Sequence, residues 1–145
     1  MLIANIDRHF GLRVTLAEEH TGHQAWETLS AFESMTLYRI VQEATQNVLR
    51  HANAAHCTIH LETSAAGTLS LRICDDGVGM TSPSSPPERV GHGLRNMHER
   101  AMAIGWSFTL SSTRNHGTSV CVAQLQVAGA PVGPWARALR TSIAP

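Results

Sequence analysis

The stretch Tyr38–Ala54, YRIVQEATQNVLRHANA, sets the tightest limit on how this chain can fold. At 3.6 residues per turn Ile40, Val41, Ala44 and Val48, with Leu37 just before them, fall on one stripe. That is the apolar face of an amphipathic helix, and it has to be buried against another element. The spacing predicts the helix from about Ser34 to Ala52. Glu43, Asn47 and then Arg50 or His51 recur at steps of three and four and form a second stripe. A solvated face usually mixes Lys and Glu. This one runs acid, amide, base, an order suited to lining a site.

The flanking sequence supplies what the helix packs on. LRVTLAEE alternates apolar and polar residues, a strand signal, and HCTIHLETS and TLSLRICDD form a predicted hairpin around Ala65, Ala66 and Gly67. LRNMHERAMAIG returns to helical spacing, with Leu94, Met97, Ala101 and Ile104 on one face and Gly105 as its C-cap. WSFTLSS and GTSVCVAQLQV make a last strand pair. Met1–Phe10 reads as the end of a helix closed by Gly11, and HTGHQAW as a turn. DDGVGMTSPSSPPERVGHG is too dense in Gly, Pro and Ser to hold a regular element. The resulting order predicts the α+β class: a two-layer α/β sandwich whose mixed, mostly antiparallel sheet carries helices on one face. Residues 11–127 are expected to be one domain, and 128–145, rich in Ala, Gly and Pro, a flexible tail.

Charge and composition narrow the function. With 11 basic and 11 acidic residues in 145, the net charge is zero, which argues against a general nucleic-acid or membrane-surface binder. No apolar run approaches the roughly 18 residues needed to span a bilayer. The first residues also lack the basic and apolar regions of a signal peptide. Cys57, Cys74 and Cys121 sit in strand-like runs without paired spacing and read as reduced core thiols of a cytoplasmic domain. The nine histidines are scattered and lack zinc-ligand spacing.

Four segments carry chemistry when taken together: the helix with Glu43 and Asn47; CDDGVGM, where a strand delivers Asp75 towards Gly77 and Gly79; GHGL, Gly91 to Leu94, at the start of a helix; and HGTSV, with Thr118 leading into the last strand. Each has an ordinary structural explanation, since short glycine motifs match often by chance. Jointly and in this order they describe a nucleotide site. A carboxylate at a strand end can accept a hydrogen bond from the exocyclic amine of adenine, where guanine offers a carbonyl. Glycines let backbone approach a flat base. The amide-rich start of the helix after Gly91 and Gly93 suits a phosphate. The Asn47 carbonyl is a hard oxygen ligand of the kind Mg²⁺ takes, Glu43 can hold one of its waters or orient a nucleophile, and Arg50 and His51 can offset phosphate charge.

QEATQNVLRHA resembles the N box, DDGVGM the first, GHGL the second and GTSV the third glycine box of the GHKL (Bergerat-fold) ATPases. LYRIVQEATQNVLRHA followed by GHGLRNMHERA is similar to the ATP-binding catalytic domain of the NarX/DesK/UhpB-type two-component sensor histidine kinases. The resemblance covers roughly Arg8 to Leu125. It implies ATP and Mg²⁺ as ligands, Asn47 as the Mg²⁺ ligand and Glu43 as its polarising, catalytic neighbour. It implies Asp75 as the adenine selector with Gly77 and Gly79 shaping the pocket, and Thr118 near it. Met80 is the residue to place against the base. Residues from about 81 to 92 would be a lid, and Gly91, Gly93 and Leu94 would cover the phosphates. The chain departs from the pattern at Gly105–Trp106, where the family often has two glycines, and at RNHGT, which lacks a further glycine.

No phosphoacceptor segment of the family's ELHD type is present. The expectation is therefore a catalytic fragment, with residues 1–10 the end of a connecting helix from a missing dimerisation domain. Its partners would be that domain and a response regulator. Whether the parent protein is anchored in a membrane stays open. Two other functions share the motifs: a stand-alone anti-sigma-factor-type serine protein kinase, and a nucleotide-binding regulatory module without phosphotransfer.

Overall fold

The computed structural model describes residues 13–19, 26–80 and 91–125. The expected helix at 1–10, most of the turn after β1, residues 81–90 of the expected lid and the tail 128–145 lie outside the described residues. The elements are β1 (Arg13–Glu19), α1 (Ala31–Asn47), β2 (His56–Thr63), β3 (Leu69–Asp75), α2 (His92–Ala103), β4 (Trp106–Ser112) and β5 (Thr118–Gln124). The strands form one sheet in the order β1-β2-β3-β5-β4. β1 and β2 pair in parallel, with Val14 opposite Cys57, and α1 supplies the crossover that a parallel pair requires. The other pairs are antiparallel. This is the mixed, mostly antiparallel sheet that the strand grouping predicts.

The start of α1 is set by a capping box. The Ser30 hydroxyl accepts the Glu33 N–H, and the Glu33 carboxylate accepts the Ser30 N–H at 2.9 Å. The Ser30 hydroxyl, which donates to the Glu33 carboxylate at 2.7 Å, and the Ser30 N–H hold that carboxyl below its ordinary range. The helix thus begins three residues before the predicted Ser34, because the cap and not the apolar stripe decides where it starts. At the other end Val48–Ala52 form a π turn, closed by Asn53 in the left-handed region (φ 47°). α2 ends as its sequence predicts: the Gly105 N–H reaches the Met102 carbonyl at 3.0 Å with φ at +71°, a conformation that favours glycine.

One face of the sheet and the apolar stripes of both helices make the core. Leu37, Ile40 and Ala44 of α1, Val48 of the π turn and Met97 and Ala101 of α2 lie buried with Ile59, Leu71, Ile73, Val120, Val122 and Trp106 of the sheet. Val41, which shares the predicted stripe, is only half-buried, whereas Thr36 and Thr45 are buried. Their hydroxyls make this possible by bonding back to the Phe32 and Val41 carbonyls, 2.7 and 2.8 Å away. The opposite face of the sheet carries the pair Arg72–Glu62 at 2.8 Å. The three thiols are free. Burial pushes that of Cys57 up to about 12 and that of Cys121 up to about 11.

Candidate functional site

Where α1, the start of α2 and the β3 and β5 ends nearest them converge, a cavity of about 550 Å³ opens, within the size range of small-molecule sites. Every residue singled out from the sequence lines it except Gly77: Glu43, Asn47, Arg50, His51, Asp75, Gly79, Met80, Gly91, Gly93, Leu94 and Thr118.

Glu43 and Asn47 stand one turn apart on α1 and are both half-buried. Their side chains converge on Gly93, the second residue of α2. A β-carbon there would run into the Glu43 carboxylate and lie 3.2 Å from Asn47 Nδ2. The absence of a side chain at Gly93 is therefore what lets the start of α2 close down on the acid–amide pair. Among the described residues neither side chain has a hydrogen-bonding partner, so a carboxylate and a carboxamide oxygen are available side by side. That donor chemistry fits Mg²⁺, a hard cation that takes oxygen ligands and keeps several waters. The π turn carries Arg50 and His51, both exposed, to the rim of the cavity.

Asp75 ends β3. Its Oδ1 accepts the Gly77 N–H at 2.8 Å, and the carboxyl also accepts the Thr118 N–H. Burial nonetheless raises its proton affinity above that of an ordinary carboxylate, outweighing both bonds. From Asp75 a short strap, 75–80, crosses the end of the sheet and is bonded from both sides. The Val78 N–H donates to the Ala52 carbonyl and the Val78 carbonyl accepts the Asn115 N–H, each at 2.8 Å. Gly77, within this strap, lies hard against the Ala52 carbonyl, where a β-carbon would not fit. It shapes the wall without lining the cavity. Gly79 (φ +64°) approaches the Thr113 carbonyl in the same way, and Gly117 (φ +83°) approaches the Asp75 carbonyl.

Three contributors are not among the residues singled out from the sequence, although Asp76 and Ala52 lie within its motifs. Ser112, at the end of β4, accepts the Met80 N–H at 2.7 Å and lies 2.9 Å from the Thr118 hydroxyl. Asp76 accepts the N–H groups of Ala55 and His56, both at 2.9 Å, and pairs with the His56 ring at 2.7 Å, tying the end of β3 to the start of β2. These bonds, the His56 N–H first, hold the Asp76 carboxyl below its ordinary range. Ala52 contributes only its carbonyl. An Asp immediately before a glycine is a turn signal that could have pointed to Asp76; no local pattern marks Ser112 or Ala52.

Residues 33–129 match the sequence model of the family described as histidine kinase-, DNA gyrase B-, and HSP90-like ATPase. Among curated proteins the chain is similar to the signal transduction histidine-protein kinase/phosphatase UhpB of Salmonella typhimurium. The two are 39% identical over 94 residues, 65% of this chain and 18% of that protein. It is likewise similar to the sensor histidine kinase YxjM of Bacillus subtilis, at 33% identity over 82% of this chain and 27% of that one. The nitrate/nitrite sensor protein NarQ of Escherichia coli is 35% identical over 65% of this chain and 16% of its own. The chain thus spans between about a sixth and about a quarter of the length of these relatives. Its fold is that of the histidine kinase domain of the Erythrobacter litoralis EL346 blue-light activated histidine kinase: TM-score 0.63, 19% identity, 85% of this chain and 55% of that chain. Among the described residues no helix is long and apolar enough to cross a membrane.

Proposed function

Because the chain belongs to the histidine kinase-, DNA gyrase B-, and HSP90-like ATPase family, we propose that it is the ATP–Mg²⁺-binding catalytic domain of a two-component sensor histidine kinase. In this reading it presents the γ-phosphoryl group of ATP to a histidine on a dimerisation domain, and a response regulator receives the group from there. The observation that carries the proposal is the convergence of Glu43, Asn47, Asp75 and the motif glycines Gly79, Gly91 and Gly93 on a single cavity of nucleotide size. The names of the relatives, a sensor histidine kinase and a histidine-protein kinase/phosphatase, agree with it.

The residues divide the work by position. The Asp75 carboxylate takes the exocyclic amine of adenine at the closed end of the cavity, beside Gly79, Met80 and Thr118. Gly91, Gly93 and Leu94 bring the start of α2 over the phosphates, where its free N–H groups and the helix dipole favour negative charge. Asn47 would hold Mg²⁺ through its carboxamide oxygen and Glu43 through a bound water; bound there, the ion neutralises phosphate charge. At the rim Arg50 adds positive charge and His51 a hydrogen-bonding ring where the phosphates leave the cavity. The bond from the acceptor imidazole nitrogen to the γ-phosphorus forms as the bridging P–O bond breaks, and ADP departs. Such transfers depend mainly on positioning and charge neutralisation. The domain is accordingly expected to bind ATP by itself and to turn it over slowly without an acceptor.

The test pairs two measurements. Calorimetric titration with a non-hydrolysable ATP analogue, with and without Mg²⁺, is expected to show Mg²⁺-dependent binding. Labelled ATP mixed with the domain and a purified histidine-bearing dimerisation domain is expected to label the latter on histidine. Intact transfer in both Asn47→Ala and Asp75→Ala would refute the reading, and acid-stable label on serine would replace it with a serine kinase.

A further inference from the structure

Ser112 falls outside every sequence motif, is 9% exposed, and touches both sides of the adenine end of the cavity. Its hydroxyl oxygen accepts the Met80 N–H at 2.7 Å, lies 2.9 Å from Thr118 Oγ1 and lies 3.2 Å from the Gly117 carbonyl. We infer that Ser112 is a positioning residue for nucleotide binding: it joins the end of the Asp75–Met80 strap to the Thr118 hydroxyl and so holds the base-reading wall in place. The inference rests on the nucleotide reading of the cavity.

Counting protons supports this. A serine hydroxyl has one proton to donate and two lone pairs to accept with. One lone pair is engaged by the Met80 N–H. The proton has two candidate acceptors, the Gly117 carbonyl and Thr118 Oγ1. The carbonyl already receives the Thr113 N–H at 3.2 Å, so it does not depend on Ser112. The proton is therefore free to go to Thr118, which leaves the Thr118 proton for the cavity. In the opposite arrangement Thr118 donates to Ser112 and offers its lone pairs to the cavity instead. Ser112 thus keeps Thr118 Oγ1 in position while letting it act as donor or acceptor to whatever base edge or water meets it.

The backbone around Ser112 explains why a hydroxyl is needed there. The strap is held at Val78 from two sides, but two residues later the Met80 N–H finds its partner in this side chain. Removing the hydroxyl releases the strap at its Met80 end. At the same time it frees Thr118 to leave its rotamer.

The test compares wild type, Ser112→Ala and Ser112→Thr, which keeps the hydroxyl. Exchange of the Met80 amide, followed by NMR without nucleotide, is expected to be faster in Ser112→Ala and near wild type in Ser112→Thr. Calorimetry is expected to show about a tenfold weaker Kd for an ATP analogue in Ser112→Ala, the effect of losing roughly one hydrogen bond's worth of positioning. It is also expected to show a narrower preference for the ATP over the GTP analogue, with recovery in Ser112→Thr. Unchanged Met80 exchange together with wild-type affinity and preference in Ser112→Ala would overturn the inference. So would a loss of melting temperature with the ATP-over-GTP ratio intact, which marks a purely structural role. If the wild type binds no nucleotide, the functional reading fails, while Met80 exchange still reports whether Ser112 holds the strap.

Discussion

Gly93 and Glu43 are in direct contact, backbone against carboxylate, with no room between them for a β-carbon. One residue belongs to α2 and the other to α1, so their contact sets how closely the start of α2 approaches α1 at that end of the cavity. The atom a new side chain would meet is the far end of a flexible glutamate, which can swing aside at little cost. Gly93→Ala is thus expected to leave the fold nearly as stable as wild type, within about 1 kcal/mol, and to displace Glu43 from its place. Thermal melting beside ATP-analogue titration checks this: the melting temperature should stay close to wild type while affinity falls at least about tenfold, equivalent to about 1.4 kcal/mol.

Gly117→Ala should behave in the opposite way. Its φ of +83° is strained for any residue with a side chain, and the group it would strike is the Asp75 main-chain carbonyl, which cannot swing aside. A loss of roughly 2 kcal/mol or more is expected from the strain alone. Chemical denaturation would read this as a lower midpoint with an unchanged slope.

Asp75 and Asp76 are neighbours with opposite linkage to pH. Burial raises the Asp75 carboxyl above its unfolded value. Its contribution to stability is then full below the ordinary carboxylate range and is lost as pH rises through its raised folded value. Neutral Asn at this position keeps an oxygen for the Gly77 and Thr118 N–H groups and no charge to bury. Asp75→Asn is therefore expected to melt no lower than wild type at neutral pH, with any gain shrinking as pH falls through the carboxylate range, while losing preference for adenine. Melting curves across pH, paired with titration of ATP and GTP analogues, check both halves.

For Asp76 the sign reverses. The His56 and Ala55 N–H groups and the His56 ring lower its carboxyl below the unfolded value. Its stabilisation is present above the ordinary carboxylate range and is lost as pH falls through the lowered folded value. Asp76→Ala is expected to cost about 1–2 kcal/mol at neutral pH, given three hydrogen bonds made at a solvent-exposed place. The difference from wild type should begin to shrink below about pH 4 and close only once pH has fallen past the lowered folded value. Denaturant midpoints measured at neutral and acid pH would show it.

Met97 is fully buried between α2 and the sheet, three residues after Leu94. Met97→Ala is expected to cost about 2–5 kcal/mol. Because Met97 also lines the cavity, nucleotide should stabilise this variant less than wild type, as thermal shifts with and without ATP analogue would show.

The fold and the site were legible in the sequence to different depths. The apolar stripes of α1 and α2, the alternating strands and the C-terminal glycine of α2 are local patterns. Each is dictated by the periodicity of its own element, and each appears where the pattern puts it. The site glycines were equally readable, since positions such as Gly79 and Gly117 need a backbone or a close approach that a side chain forbids. The apolar stripe places the start of α1 three residues late, because the Ser30–Glu33 capping box and not the stripe sets it. Thr36 and Thr45 were missed as buried residues because their hydroxyls are satisfied within the helix, which no hydropathy pattern registers.

What the sequence determined by itself is the set of elements, the faces they bury and the residue types a nucleotide would need. Tertiary structure alone decided how those elements meet. Ser112 reaches Met80 across 32 residues and Asp76 reaches His56 across 20, and Gly93 rests on Glu43 from the next helix. Contacts at such separations depend on strand register and helix docking, which balance the packing of the whole core at once. No single stretch of sequence encodes them, and for that reason the motifs name Gly93 and Glu43 without their contact and leave Ser112 unnamed.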